Sequence, residues 1–325
     1  MQDQVKDLSI IVVNYQSWLC LKECLESIHA IKPKIKLEVI VVDNNSKDGH
    51  YDEFSMQFSE VKFIKNISNY GFSHGCNLGA KHATGEYLLF LNPDTMLEDN
   101  ASIETMLNFA KNNPLVGITS CKKINNKGVS ETEIKFTNPW MNIGFINTIY
   151  RIIFQSYLKK EFDEKLSTWY PDMVSGAVVL ISKKMFQKVD GWNQEDYWMY
   201  FEDTELCSKV SLAGGRIALL RDVRIRHTHG GSTRVNSRTA ALTKSEVITS
   251  KHVYMHAHSQ GLSRLALHSI IVISTLISLL GKNLILLPVF WKPKYRISAI
   301  VLGKVTWYYV SAIFRQTWKS ERLAK

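Results

Sequence analysis

Glu86 to Leu91, EYLLFL, followed at once by Asn92-Pro93-Asp94, is the stretch on which the fold turns. It is a short, almost wholly apolar run closed by polar residues, the pattern of a strand buried on both faces. Working outward, Leu8 to Val13 (LSIIVV) and Leu37 to Val42 (LEVIVV) read the same way, and Val61 to Ile64 makes a fourth such run. Between them lie stretches of helical spacing: Trp18 to Ile31, with Leu21, Leu25 and Ile28 on one face, and Ser73 to Ala83. Buried strands alternating with helices predict an α/β fold with a parallel sheet covered on both faces.

In such sheets the ligand crevice opens at the carboxyl ends of the strands. The residues there are Asn14-Tyr15, Asp43-Asn44-Asn45-Ser46, Asn69-Tyr70-Gly71-Phe72 and Asn92-Pro93-Asp94. Any one of these loops reads as a plain turn, because Asn and Asp bond their own backbone and tolerate left-handed dihedrals. Four in succession at one sheet edge favour a binding site.

Further along, Met173 to Ser182 (MVSGAVVLIS) is strand-like. Gly191-Trp192, an aromatic cluster (Tyr197, Trp198, Tyr200, Phe201) and Glu202-Asp203 come next. Arg216 to Leu220 and Val223 to Ile225 read as two short strands ending at His227-Thr228-His229-Gly230-Gly231-Ser232. After about residue 240 the character changes. Leu265 to Leu280, Leu284 to Trp291 and Ile297 to Phe314 are apolar runs, the first reaching membrane-spanning length only if Lys282 and Asn283 are taken inside it.

The 325 residues carry a formal net charge of +10 with 45% hydrophobic and 22% charged residues, which excludes disordered, collagen-like and disulfide-scaffold classes. The excess is local. From Gly261 to Lys325 there are 10 Lys and Arg against 1 acidic residue, while the preceding 260 residues hold 30 against 29. Basic residues interleaved with Leu, Ile, Val and Trp point to an anionic membrane surface, each such charge being worth about 1 kcal/mol there, and not to nucleic acid, with a buried helical subdomain as the alternative. Five cysteines at no zinc-ribbon spacing and the lack of a signal-peptide layout at the N-terminus fit a reduced, cytosolic chain. Cys20 and Cys24, four apart on a helix, read as packing residues.

Three sets of residues carry chemistry. Asp94, at the end of a buried strand, suits a hard divalent cation that keeps water and substrate phosphate as its other ligands. Glu202-Asp203, after an aromatic stretch, offers a carboxylate that serves as general base beside a bound hydroxyl, or equally a negative charge at the N-terminus of a helix over Thr204 to Leu212. His227 and His229 add imidazole as a partner to Asp94 on Mn²⁺, though a lone His is more often simply hydrogen-bonded.

Taken in order, these residues resemble the inverting family 2 of nucleotide-sugar glycosyltransferases. The resemblance rests on SIIVVNY (Ser9 to Tyr15), VVDNNSKDG (Val41 to Gly49), NYGFSHGCNLG (Asn69 to Gly79), GEYLLFLNPDT (Gly85 to Thr95), SGA (Ser175 to Ala177), YFEDTELC (Tyr200 to Cys207) and HTHGGS (His227 to Ser232). It implies the GT-A fold, a Rossmann-like and mostly parallel central sheet with helices on both faces. Residues 1–240 form the catalytic domain on this reading and 241–325 a helical, membrane-associated tail. Tyr15 and Asp43 match positions that hold base and ribose, and Asn69, Gly71 and Asn77 the stretch that shapes the donor pocket. Asp94 matches the metal-binding aspartate, with Mg²⁺ or Mn²⁺ as cofactor, and Asp203 the catalytic base. His227 fits the late histidine by its HxxGxS spacing, with His229 as its rival. Trp198 and Glu202 fall on the acceptor side, and either Glu195 or Asp196 faces the acceptor.

The NPD and MYFED forms look most like bacterial rhamnosyltransferases of O-antigen and surface-polysaccharide synthesis. That implies dTDP-rhamnose as donor, ahead of UDP-hexoses and UDP-galactofuranose, a polyprenyl-linked saccharide as acceptor, and a place at the cytoplasmic face of the plasma membrane. The rival from another class is a non-catalytic sugar-binding scaffold of the same fold. Two departures stand out: the first aspartate of the metal motif is Asn92 here, and the stretch from Gly191 to Tyr200 is one residue longer than the usual form, which leaves Glu195 and Asp196 as alternatives.

Overall fold

A computed structural model describes residues 6–31, 34–99, 101–130, 136–161, 165–228 and 237–323. In chain order the strands are β1 (Lys6–Asn14), β2 (Leu37–Asp43), β3 (Lys62–Lys65), β4 (Gly85–Leu91), β5 (Thr95–Leu97), β6 (Val116–Ile124), β7 (Thr168–Trp169), β8 (Val178–Ser182) and β9 (Arg216–His227). The α-helices are α1 (Trp18–Ala30), α2 (Tyr51–Gln57), α3 (Phe72–His82), α4 (Ser102–Asn112), α5 (Gly144–Ile153), α6 (Gln155–Glu161), α7 (Lys183–Lys188), α8 (Glu202–Leu212), α9 (Ser237–Ala257), α10 (Gly261–Leu286) and α11 (Pro293–Arg315). They fall into two compact units, one of residues 1–137, 150–194 and 202–231, the other of 138–149, 195–201 and 232–325.

The first unit is a sheet in the order β3-β2-β1-β4-β8-β6-β9-β5, with β7 paired to β9. From β3 to β4 it is parallel, as the alternation with helices requires. Beyond β4 it is mixed, because β8 runs antiparallel between β4 and β6. Along β1 the side chains alternate: Leu8, Ile10 and Val12 pack with Leu21 and Leu25 of α1 and Ile103 and Met106 of α4. Ile11 and Val13 face the other way, onto Cys76 and Ala80 of α3 and, in the same layer, Leu206 and Val210 of α8. Helix α3 comes close because Gly75 and Gly79 face β1, where an added Cβ would stand 2.7 Å from Val13 Cγ1 and 2.5 Å from Ile11 Cγ2. Four buried cysteines behave as small apolar side chains, and burial pushes the Cys24 thiol up to about 12.

Two sequence readings need correction. The strand expected over Met173 to Ser182 is confined to β8, because Ser175-Gly176-Ala177 turns. Ala177 there accepts from Asn92 N at 3.0 Å, and Gly176 N donates to Asp203. The two short strands before His227 are one, β9, whose register slips so that Cys121 faces Leu220 and Lys122 faces Arg224. Polar Arg221 and Asp222 sit in that bulge, which is why the apolar pattern breaks there.

The second unit is helical. Tyr197 is fully buried with Val253, Tyr254, Met255, Leu267 and Ile271, and Ala241 packs with Val301, Val305, Tyr308 and Tyr309. Lys282 and Asn283 do not interrupt α10; Asn283 bonds Leu279 O behind it and the Ser298 side chain of α11 at 3.1 Å. The stretches Gly261–Val289 and Pro293–Arg315, 29 and 23 residues, are long and apolar enough to cross a membrane. Leu265, Ile273, Ile277 and Leu284 on the first and Trp307 and Ile313 on the second stay exposed.

Candidate active site

The carboxyl ends of β1 and β2 meet in one polar ladder. Asn14 lies opposite Asp43, and both are buried, with Asn14 Nδ2 donating to Asp43 Oδ1 at 3.0 Å. Ser46 N donates to the other carboxylate oxygen at 2.9 Å. The ladder continues through Asn66 Nδ2 to Asn44 Oδ1 and from Asn44 Nδ2 to Gly71 O, at 3.1 and 2.9 Å. Gly71 has φ +93, open to glycine, and its N–H is held by Asn69 Oδ1 at 3.1 Å. Tyr15 is half-buried at the end of this ladder, before Gln16 at φ +53.

Asn77 of α3 takes a different part. Its Nδ2 donates to Trp192 O at 2.8 Å and to Gln194 Oε1 at 3.0 Å, and its Oδ1 accepts from Trp192 N at 3.0 Å. It therefore fixes the Gly191-Trp192 turn, which Lys209 Nζ of α8 braces from its other side by a 2.9 Å bond to Gly191 O. An added Cβ on Gly191 would meet Asn77 Oδ1 at 2.7 Å.

Asn92-Pro93-Asp94-Thr95 is a turn in which Thr95 N and Oγ1 donate to Asn92 O at 3.2 and 2.7 Å. Strand β5 then pairs antiparallel with β9, Thr95 opposite His227, and Thr228 N donates to Asp94 O at 3.0 Å. This register brings His227 Nε2 to 3.3 Å from Asp94 Oδ1, with the two side chains only 6% and 11% exposed. A carboxylate oxygen and an imidazole nitrogen converging in this way fit a divalent cation such as Mn²⁺ as two of its ligands. Among the described residues no group of three or more His, Cys, Asp and Glu converges. His229 lies outside the described residues.

Asp203 stands in the first turn of α8, where the helix dipole favours a carboxylate. Its Oδ2 accepts from Gly176 N at 3.2 Å and its Oδ1 from Thr204 N at 2.8 Å. The reading of Glu202-Asp203 as a helix start is the one seen: the pair begins α8, and Asp203 is also bonded to the Ser175-Gly176-Ala177 turn. Glu202 is buried, with an oxygen that has no hydrogen-bond partner, and burial first and the Asp203 charge second push its carboxyl up to about 8. Trp198 is buried in the second unit, under the Arg322 guanidinium.

The glycosyl transferase family 2 model matches residues 9–190, more than half of the chain. The chain belongs to that family. A second model, the N-terminal domain of galactosyltransferase, matches residues 158–232. Among relatives of this family 2 chain, the low-salt glycan biosynthesis hexosyltransferase Agl10 of Haloferax volcanii is 28% identical over 64% of the chain and 63% of its own length. The poly(ribitol-phosphate) beta-glucosyltransferase of Bacillus spizizenii is 27% identical over 52% of the chain. The rhamnosyltransferase WbbL of Escherichia coli is 25% identical over 64% of the chain and 78% of its length. The chain spans less than two thirds of the first two, 63% and 28%. Its fold is that of mannosyltransferase PcManGT from Pyrobaculum calidifontis, solved with GDP-Man and Mn²⁺, with a TM-score of 0.55 at 14% identity over 97% of this chain and 89% of that one.

Asn14, Asn44, Asn66 and the Ser175-Gly176-Ala177 turn are the residues of this family 2 chain whose parts in the hydrogen-bond network at the strand ends the sequence did not reveal. The signal was there in the asparagines at the ends of β1, β2 and β3, of which Asn14, Asn44 and Asn66 are buried and bonded to a neighbouring loop or strand end.

Proposed function

We propose that this chain is an inverting glycosyltransferase that moves a hexosyl group from a nucleotide-diphosphate sugar to a saccharide hydroxyl. The observation that carries the reading is the pairing of Asp94 with His227 at the strand ends of a family 2 fold whose α8 holds Asp203 in its first turn. Tyr15 and the Asp43 ladder bind and orient the nucleoside, while Asn69 and Gly71 shape the donor pocket and Asn77 holds its Gly191-Trp192 wall. Asp94 and His227 would hold Mg²⁺ or Mn²⁺, which when bound stabilises negative charge developing on the departing diphosphate. Asp203, held by Gly176 N and Thr204 N, takes the proton from the acceptor hydroxyl as it attacks the anomeric carbon. A single displacement inverts that carbon.

For donor and acceptor we propose dTDP-rhamnose and a polyprenyl-linked saccharide, in surface-polysaccharide synthesis at the cytoplasmic face of the plasma membrane. The similarity to WbbL supports the sugar. The apolar, basic helices α10 and α11 support a lipid-borne acceptor and an anionic membrane surface. A UDP- or GDP-hexose donor is the second reading, favoured by the hexosyltransferase relative and by the neighbour solved with GDP-Man. Mass spectrometry of products from a panel of nucleotide sugars and lipid acceptors tests both. Rhamnosyl product from dTDP-rhamnose alone supports the first reading, product from a hexose donor the second, and no product from any donor rejects transfer.

A further inference from the structure

The segment between the Gly191-Trp192 turn and Glu202-Asp203 packs with the C-terminal helices. Tyr197 is 1% exposed in their core, Ser250 Oγ of α9 donates to Met199 O at 2.7 Å, and the rings of Phe201 and Tyr254 lie 5.6 Å apart. Tyr200 and Phe201 have φ of +72 and +65, two successive non-glycine residues in the left-handed region immediately before Glu202. Such a backbone persists only where its surroundings determine it, and it clusters at functional sites.

A second element holds the same segment. Helix α11 ends at Gln316, itself left-handed at φ +51, and residues 316–323 turn back as a strap. Trp318 anchors it: the indole stacks on His252 at 4.5 Å and His268 at 4.3 Å, and its carbonyl accepts from Tyr308 OH at 2.8 Å. Ser320 Oγ donates to Glu246 Oε1 at 3.2 Å, and Arg322 Nε lies 3.8 Å from the same oxygen. From this base the strap presents two cations. Lys319 Nζ is 2.6 Å from Asp196 Oδ1 and 3.4 Å from Glu195 O, and the Arg322 guanidinium sits 4.2 Å from the Trp198 ring centroid.

We propose that the strap positions the acceptor-binding segment 195–201, with Lys319 and Arg322 as positioning residues that act through Asp196 and Trp198. The proposal rests on the glycosyltransferase reading and adds to it. Trp198 is expected on the acceptor side, as is either Glu195 or Asp196, and the strap engages all three, Lys319 through the Asp196 carboxylate and the Glu195 carbonyl and Arg322 through the Trp198 ring. The segment and the strap lie in the same compact unit, so loss of the strap contacts releases Asp196 and Trp198 together. A half-exposed Lys–Asp pair contributes little to stability. Its loss leaves a folded protein and appears instead as misplacement.

The test uses the full chain in detergent micelles with Lys319→Ala and Arg322→Ala combined. The probes are dTDP-rhamnose, or the donor that the panel identifies, and a short-chain polyprenyl-diphosphate-linked disaccharide. We expect acceptor kcat/KM to fall about 10- to 100-fold, the range in which remote misplacement acts, with nucleotide affinity by calorimetry unchanged. Hydrogen exchange of residues 195–201 should quicken. Exchanging the charges, Lys319→Asp with Asp196→Lys, should restore slow exchange and part of the transfer. Wild-type acceptor kcat/KM and unchanged exchange in the double variant overturn the proposal, as does a loss of nucleotide affinity equal to the loss of transfer, which marks a general folding defect. The exchange measurement needs no turnover. A wild type that transfers to no acceptor therefore counts against the glycosyltransferase reading, while fast exchange in the variant still locates the strap's action.

Discussion

His227 Nε2 stands 3.3 Å from Asp94 Oδ1 because the β5–β9 ladder sets Thr95 opposite His227. Two residues 133 positions apart in the chain thus share one site through a strand register, and each should be needed for metal-dependent donor binding. Asp94→Ala and His227→Ala should each weaken nucleotide affinity in Mn²⁺ by at least the roughly 10- to 100-fold that loss of even an outer hydrogen-bond partner costs a metal site. With EDTA present, wild type and variants should bind alike. Calorimetry in both conditions reads the difference, and a His227→Ala protein with full Mn²⁺-dependent affinity removes that residue from the site.

Glu202 makes stability depend on pH. Its carboxyl ionises near 4.5 in an unfolded chain and at about 8 in the fold, raised by burial and by Asp203. Between those values the folded state keeps a proton that the unfolded state has lost, so stability falls as pH rises through this window. Above about 8 the penalty is complete. Glu202→Gln removes it, so the variant's melting temperature relative to wild type should climb from pH 5 to pH 9, as followed by circular dichroism. A difference that stays flat with pH contradicts the buried, protonated carboxyl.

Burial has the opposite consequence at His252, whose imidazole is pushed down to about 3, first by desolvation and then by His268 and Lys251. Folding keeps it neutral where an unfolded chain protonates near 6.5, so stability from this ring is present above 6.5 and is lost as pH falls toward 3. Trp318 stacks directly on it and reports the change. Tryptophan fluorescence should show an acid transition that shifts to lower pH in His252→Phe.

Helix α3 sits on β1 with no space for a methyl group. In Gly79→Ala the new Cβ would meet Ile11 Cγ2 at 2.5 Å, and a β-branched side chain on a buried strand cannot swing aside. Overpacking of this kind costs about 1–3 kcal/mol, which exceeds the gain of at most about 1 kcal/mol from replacing a helical glycine. Urea denaturation should show a net loss of stability.

The basic tail should govern membrane affinity. Replacing Lys282, Lys292, Lys294 and Arg296 by Gln removes about 4 kcal/mol at about 1 kcal/mol per charge, or roughly a thousandfold in partitioning to anionic vesicles. Vesicle sedimentation with and without phosphatidylglycerol measures this. Equal binding to both vesicle types contradicts an electrostatic role for these residues.

Strands β1, β2 and β4 were legible in the sequence almost to the residue because each is largely apolar and closed by polar residues, and the shorter β3 (KFIK) because it follows them in the same alternation with helices. The apolar pattern divides β9 in two because Arg221 and Asp222 interrupt it, and periodicity carries no sign of a bulge. Short β5 was missed, since three residues have no period to detect, yet it is the strand that joins Asp94 to His227. Asp94, His227 and Asp203 were legible as residue types at strand and helix ends. Their distances depend on pairings distant in sequence, and so do the grip of Asn77 on Trp192 and the reach of residues 316–323 to Asp196.

On the proposed function Asp203 is the base of an inverting sugar transfer. Asp203→Asn keeps the shape of the side chain and an oxygen able to accept from Gly176 N, while removing the proton-accepting charge. Measured side by side, product formation should fall about 10²- to 10⁴-fold and nucleotide-sugar affinity by calorimetry should stay within error of wild type. Wild-type turnover by Asp203→Asn, with affinity intact, would contradict the account.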